Sequence, residues 1–338
     1  GTRLRPLTHT GPKQLLPIGN KPMSQFCLEA IASTGITEIA IIIGGVGSNK
    51  VQEYYGDGKK FGVKITYIKQ DEPKGIAHAI RLCKKFVNDE KFLVFLGDNI
   101  IQKSISEFVK SFNDSNFDAT ILLCEVDNPS RFGIADVANG KILKITEKPK
   151  EPASNLAVTG IYLLTPIIFE IIDNLKPSWR NELEITDALD ELLKKNDNIS
   201  FEKITDYWKD TGTPEDIINA NGEVIAKHPE FVRRHNTEKI ILGKNSEIES
   251  SVKIIGPVII GDNCKVHGNS SIGPNVSVGD NSDISVIAIE NSIIMDNCKI
   301  NSRTKIKNSI VASNSEIKQN SSDEDKIFLL GEGSKISL

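Results

Sequence analysis

Between Phe231 and Phe328 the chain has no Phe, Tyr or Trp, although the whole sequence holds 13 Phe, 5 Tyr and 2 Trp. Any core built there is made without rings, and the break marks a second domain. Cysteine is scarce as well. Cys27, Cys83, Cys124, Cys264 and Cys298 form an odd, scattered set without a C-x-x-C pair, which excludes a disulfide framework and a zinc module and predicts a reducing, cytoplasmic setting. No apolar run approaches the ~18 residues that a membrane span needs; the longest aliphatic stretches are of the size of Ile39 to Ile43. Nor is there a surplus of positive charge, with 41 Lys and Arg against 45 Asp and Glu, a net charge of -4 and a pI near 5.9. This excludes the polybasic surface that collects nucleic acid or anionic membrane, and leaves a small molecule as the expected partner. A Walker A sequence is missing, and the glycines at 44, 45 and 47 lack the G-x-G-x-x-G spacing of a dinucleotide loop.

What the ring-free stretch does have is a six-residue period. Leu242, Ile248, Ile254, Ile260, Val266, Ile272, Val278 and Ile284 recur without interruption, and a small or β-branched residue stands four positions after each, from Ser246 and Val252 to Ser282 and Ala288. A helix would need a period of 3.6 and a flat sheet a period of two. Six is the hexapeptide repeat, in which three strand-and-turn faces close a coil of about 18 residues and stacked coils bury the aliphatic ladder. The phase slips near Glu290 and resumes at Ile294, Ile300 and Ile306, so about four coils are expected, with Asn, Ser, Lys and Asp facing outward. His267 is the one histidine in the repeats. Lys326-Ile-Phe-Leu-Leu-Gly331 is expected to cap the open end, where strand edges need cover. The second domain therefore spans 238–338, and its expected role is assembly of a homo-oligomer.

Residues 1–237 alternate between apolar runs and helical patterns. Glu38 to Ile43, Val63 to Ile68, Phe92 to Phe95 and Ala119 to Cys124 read as buried strands; Ser24 to Thr34, Ile76 to Val87 and Ile105 to Phe112 read as helices. That order predicts an α/β fold with a mainly parallel sheet and ligands at the carboxyl ends of its strands.

Three kinds of residue could carry chemistry here. Gly1-Thr2-Arg3-Leu4-Arg5-Pro6 and Gly11-Pro12-Lys13-Gln14 combine glycine turns with two arginines and a lysine, a composition suited to phosphate. Asp98 ends the apolar run Phe95-Leu96-Gly97-Asp98-Asn99, and Asp210 lies in Trp208-Lys209-Asp210-Thr211-Gly212. A carboxylate at a strand end suits Mg²⁺, which shares hard oxygens with substrate phosphates. Glu147-Lys148-Pro149-Lys150 is a further charged candidate. Singly, each of these segments is equally compatible with a solvated loop or turn.

Together they resemble a known family. Gly1-Thr-Arg-Leu-Arg-Pro, Pro12-Lys-Gln-Leu-Leu-Pro and Asn20-Lys-Pro-Met23 resemble the signature of sugar-1-phosphate nucleotidylyltransferases. Leu96-Gly-Asp-Asn99, Glu147-Lys-Pro-Lys150, Val158-Thr-Gly-Ile-Tyr162, Leu183-Glu-Ile-Thr-Asp187 and Trp208-Lys-Asp-Thr-Gly212 are similar to glucose-1-phosphate thymidylyltransferases, and the hexapeptide tail to their long form. The resemblance implies a Rossmann-like nucleotidyltransferase domain followed by a left-handed parallel β-helix. It implies attack of glucose 1-phosphate on the α-phosphorus of dTTP to give dTDP-glucose and pyrophosphate, for deoxysugar-type nucleotide-sugar biosynthesis. No covalent intermediate is expected, in keeping with the lack of a Ser/His/Asp or Cys/His constellation.

Carried over residue by residue, the resemblance implies that Gly1, Thr2 and Arg3 hold the nucleotide phosphates and that Arg3 and Lys13 are catalytic. It implies that Gln70 and Gly75 read the thymine edge. In the sugar-phosphate site, Glu147 would bind sugar hydroxyls, Lys148 the sugar phosphate, and Gly133 and Thr159 would line the sugar pocket; Asp98 and Asp210 would bind the Mg²⁺. Two departures stand out: the opening strand and most of the glycine loop of that family are not in this sequence, and Phe132 stands where short-form enzymes carry Tyr. Two other activities share parts of the pattern. One is uridylyl transfer from UTP to a hexose 1-phosphate. The other is a bifunctional enzyme whose coils also transfer acetyl groups with His267 as base, against which 8 basic and 9 acidic residues between 238 and 317 leave no field for a polyanionic cofactor.

Overall fold

The structure, a computed structural model, describes residues 2–196, 198–233, 238–319 and 325–337. Two compact units divide the chain: residues 24–210 form one, and residues 1–23 with 211–338 form the other.

In the first unit the strand Leu156–Leu164 is buried at every position. It pairs antiparallel with Ala119–Glu125, Phe92–Phe95 and, through Ala157 and Ile134, Gly133–Ala138. Ile199–Lys203 adds parallel to Ala119–Glu125, and Lys141–Glu147 antiparallel to Gly133–Ala138. Glu38–Ile43 and Lys64–Lys69 form a separate parallel pair. The sheet is thus mixed. Parallel order holds in two of these pairings, whereas the strand at the centre runs against its neighbours. Among the described residues, Glu38–Ile43 and Phe92–Phe95 are each paired along one edge.

Alternation along the strands builds two cores. Ile121, Leu123, Tyr162 and Leu164 pack with the helices Ile76–Leu82, Ile167–Asp173 and Ile185–Asn196, while Leu122, Ile161 and Leu163 pack with Ser106–Asp114. Successive side chains point to opposite faces of a strand, so a continuous apolar run signals cover on both sides.

The second unit is a parallel β-helix whose strands stack in columns of six, six and five. The period-six ladder points inward, with Ile260, Val266, Ile272, Val278 and Ile284 each at most 1% exposed. Coil count exceeds the expected four because the residues after Ile306 go on adding strands to the columns, and the repeat also changes length. Ile260 stacks on Val278 at 18 residues, Val278 on Ile294 at 16 and Ile294 on Val311 at 17. The shortening falls at the corners, where no strand pairing is lost. Asn263, Asn281 and Asn297 turn corners with φ of 54–58°, a left-handed conformation that Asn tolerates. The segment expected as a cap contributes coil strands instead: Leu329–Leu330 continues the first column, Phe328 is buried in the core, and Lys335–Ser337 extends the stack beyond it.

One outer face departs from the polar expectation. Ile241, Ile259, Ser277, Ile293, Ile310 and Leu329 stand in register on the outside of the first column. The helix Pro214–Ala226 lies against this column. Its start is set by Thr213, whose hydroxyl accepts from the Asp216 N–H at 3.2 Å, and by Pro214 in the first turn. The hairpin Pro17–Ile18/Lys21–Pro22 turns through left-handed Gly19 and Asn20 and joins the same layer. Asn221 Oδ1 accepts from Gly19 N–H at 2.8 Å and from the Ser277 hydroxyl at 2.9 Å. This layer is why residues 1–23 and 211–233 group with the coils rather than dividing at 237.

Candidate functional site

In the 24–210 unit, Asp98 follows Phe92–Phe95 in a tight turn closed by Asn99 N–H on Leu96 O at 3.1 Å. The strand Trp208–Asp210 runs antiparallel to Asn99–Ile101 and places Asp210 opposite Asn99, one residue from Asp98. The phenol of Tyr162 is held un-ionised by complete burial and then by the negative charges of Glu147, Asp98 and Asp210. Three carboxylates separated by up to 112 positions in sequence thus act on one buried ring. Among the described residues no group of three or more His, Cys, Asp or Glu could hold a metal. Asp98 and Asp210 offer two hard-oxygen ligands. That set fits Mg²⁺, which takes one or two carboxylates and fills its remaining positions from phosphates and water, and does not fit an all-protein cage.

Glu147 ends its strand opposite Gly133. Its Oε1 receives Arg180 Nη1 at 3.2 Å and Lys148 Nζ at 3.2 Å, and its Oε2 receives the Thr186 hydroxyl at 3.0 Å. Lys148 has φ +40° and donates its N–H to Phe132 O at 3.1 Å. A Cβ on Gly133 would lie 2.5 Å from Thr186 Cγ2 and 3.2 Å from Glu147 Oε2, so only glycine lets these groups meet. Arg180 also reaches Glu182 at 2.8 Å and Glu184 at 3.5 Å. Burial raises the Glu184 carboxyl, and burial followed by the charge of Glu147 raises that of Asp187. The result is an acidic cluster whose two cations, Arg180 and Lys148, are of a kind suited to a phosphate.

Gln70 and Gly75 also come together. Gln70 Nε2 donates to Gly75 O at 3.3 Å and meets His78 Nδ1 at 2.9 Å. Gly75 has φ +98°, and a Cβ there would lie 2.4 Å from Leu183 O. Thr159 behaves differently from the expectation of a pocket-lining residue. It is fully buried, and its hydroxyl donates to Leu122 O at 2.8 Å, so the side chain is consumed inside the sheet. Arg180, Thr186, Asn99 and Tyr162 are the participants that the sequence reading gave no role. The strongest available signal for Arg180 was its place just before Leu183-Glu-Ile-Thr-Asp187.

In the other unit, Arg3 lies exposed in the turn Thr2–Leu4, and Lys13 opens the turn Lys13–Leu15. Buried Leu4, Leu7 and Leu16 anchor this loop. Gly1 lies outside the described residues. On the coils, His267 is held through Nδ1 by Glu249 at 3.0 Å and through Nε2 by Asp283 at 2.9 Å. Those carboxylates, Glu249 first, raise its pKa. With both ring nitrogens engaged by carboxylates, the imidazole has no free nitrogen to take a substrate proton, which argues against the acetyl-transfer reading.

Comparison with known proteins decides the family. A profile described as Nucleotidyl transferase matches residues 1–227. The chain belongs to the nucleotidyl transferase family. It is a nucleotidylyltransferase, and its coils, over residues 254–337, match a second profile described as GMPPB C-terminal domain. The low-salt glycan biosynthesis nucleotidyltransferase Agl11 of Haloferax volcanii is 41% identical over 100% of this chain and 97% of its own length. A glucose-1-phosphate thymidylyltransferase of Streptomyces antibioticus is 38% identical over the same shares. Among solved structures, a UDP-glucose pyrophosphorylase complexed with UDP-glucose is 29% identical, with a TM-score of 0.60, covering 67% of this chain and 95% of that one. For this nucleotidylyltransferase, no described helix is long and apolar enough to cross a membrane.

Proposed function

We propose that this nucleotidylyltransferase acts on a sugar 1-phosphate, and specifically that it transfers a thymidylyl group from dTTP to glucose 1-phosphate. An oxygen of the sugar phosphate attacks the α-phosphorus, the bond to the β-phosphate oxygen breaks, and pyrophosphate departs. The observation that carries this reading is the cluster around Glu147. An acidic cluster that can accept from sugar hydroxyls also holds Arg180 and Lys148 for the adjoining phosphate, and its Glu147 acts on the same buried Tyr162 as Asp98 and Asp210.

Each residue then has one task. Glu147 accepts hydrogen bonds from sugar hydroxyls, and Lys148 holds the sugar phosphate. Arg3 binds the triphosphate, and Lys13 offsets charge on the departing pyrophosphate, so transfer rests on positioning and charge neutralisation rather than on a nucleophilic side chain. Gln70 and the Gly75 backbone meet the base edge. Asp98 and Asp210 hold Mg²⁺, which when bound neutralises phosphate charge.

The streptomycete relative supports dTTP, and the solved structure with UDP-glucose keeps UTP in view. The protein should be incubated with Mg²⁺, dTTP or UTP, and glucose 1-phosphate, and the nucleotide sugars separated. A thymine methyl supplies roughly 1–3 kcal/mol, so dTTP should be preferred about 10- to 200-fold in kcat/KM. Equal turnover of UTP moves the assignment to uridylyl transfer, and no nucleotide sugar with either removes it.

A further inference from the structure

We propose that Asn99 is a positioning residue that sets the geometry of the Asp98 and Asp210 carboxylates through a single carboxamide. Its side chain is almost wholly buried, and Oδ1 accepts from Trp208 Nε1–H at 2.7 Å and from Gly160 N–H at 3.1 Å. Both donors are fixed, one on an indole and one on a backbone. A carboxamide oxygen has two lone pairs, and here both are taken, so the amide can face only one way. Its nitrogen is thereby directed at Asp98, where Nδ2 donates to Oδ1 at 3.2 Å. A carboxylate rotates readily about its terminal bond. Fixing one oxygen removes that freedom.

The second carboxylate is reached through the strand. Trp208 precedes Asp210 by two residues, and Asp210 is the ladder partner of Asn99 itself. The same indole stands edge-on to Phe132 at 5.7 Å, next to Gly133 on the sugar side. Two further features accommodate Asn99. Cys27 Sγ donates to its backbone O at 3.2 Å, and Gly160 has no Cβ, which would otherwise lie 2.8 Å from the carboxamide Nδ2. The network runs between three strands and ends on the carboxylate pair, which is more than packing requires.

The inference rests on reading Asp98 and Asp210 as the cation-holding pair, and the experiment separates the two. Mn²⁺ serves as the probe, with free Mn²⁺ measured by electron paramagnetic resonance on the full chain in the presence of dTTP. Partners that orient a metal ligand typically contribute 10- to 100-fold in affinity, so Asn99→Ala should weaken Mn²⁺ binding about 10-fold or more. The Mg²⁺ needed for half-maximal rate should rise in step, and the KM for glucose 1-phosphate should stay within about twofold. Trp208→Phe, which keeps a ring and removes the donor, should shift Mn²⁺ binding in the same direction by less, and should add nothing when Asn99 is already Ala. A lowered melting temperature with unchanged Mn²⁺ affinity in Asn99→Ala means a merely structural role and overturns the proposal. If that variant does not fold, unchanged affinity in Trp208→Phe overturns it equally. Unchanged affinity in Asp98→Asn removes the carboxylate reading itself, and this inference with it.

Discussion

Gly133→Ala is the smallest change that should damage sugar binding while leaving the fold intact. The added methyl would meet Thr186 Cγ2 at 2.5 Å, against the 3.4–4 Å of ordinary contact, so something must move by about 1 Å. Gly133 lies in a ladder with Glu147, and Thr186 is 3% exposed at the start of the helix Ile185–Asn196, so neither backbone has free space to enter. The weakest link is the Thr186 hydroxyl on Glu147 Oε2 at 3.0 Å. A hydrogen bond to a charged group contributes about 1.5–3 kcal/mol, so if the misplaced Glu147 loses that much toward sugar, the KM for glucose 1-phosphate should rise roughly 10- to 100-fold. The KM for dTTP should change little. Steady-state kinetics with each substrate varied in turn reads this out directly. The clash is with one methyl, and Thr186→Ser removes that methyl while keeping the hydroxyl. The double variant should therefore recover most of the lost sugar affinity. An unaltered KM in Gly133→Ala, or no recovery in the double variant, refutes the reasoning.

Asp98→Asn and Asp210→Asn should each lower turnover at least tenfold and alter the divalent-metal dependence alike; activity within twofold of the parent in both would remove the metal assignment. Lys13→Ala should lower kcat more than it raises the KM for glucose 1-phosphate, and Lys148→Ala the reverse, because charge develops at the leaving group while the sugar phosphate is charged from the outset. Equal effects in both variants would contradict this division. His267 is raised above its ordinary value by Glu249 and Asp283, so its contribution to stability is complete below about pH 6.5 and is lost as pH rises through the elevated folded value. Melting temperature should therefore fall as pH rises above about 6.5 by an increment that His267→Asn lacks, and identical pH profiles would discount the clamp. Ile293→Asp, on the outer face of the first column, should destabilise the protein by about 3 kcal/mol or more in chemical unfolding, because the position is fully buried.

Much of the fold is legible in the sequence where pattern and environment agree. Glu38–Ile43 and Phe92–Phe95 begin and end where the apolar runs do, although each is paired along one edge among the described residues and is only partly covered. Leu156–Leu164 is harder. Its run is apolar apart from Thr159, which reports burial on both faces but not direction, and the direction is what makes the sheet mixed. The helix Ile76–Val87 divides at Cys83, a break without Gly or Pro to announce it. At the site, Asp98, Glu147 and Lys148 are readable because charge at a strand end is conspicuous. Asn99, Thr186 and Arg180 are not: each acts by holding another side chain, and such a role depends on which strands lie side by side.

The coil unit carries the sharpest contrast between what a period shows and what it conceals. The six-residue ladder identifies the inward column because that column must be aliphatic at every step. The outward position of each first-column strand follows the same spacing, and in this chain Ile241, Ile259, Ile293, Ile310 and Leu329 occupy it in five strands and Ser277 in the sixth. Exposed aliphatic columns are a liability unless something covers them. Here the cover is the helix Pro214–Ala226 and the hairpin that follows Lys13, tied together by Asn221 between Gly19 and Ser277. The coils therefore serve as the floor on which the loop bearing Arg3 and Lys13 is built. Removing residues from 238 onward would strip that floor as well as any assembly surface, so an active truncated enzyme would require the helix and hairpin to find other cover for their apolar face.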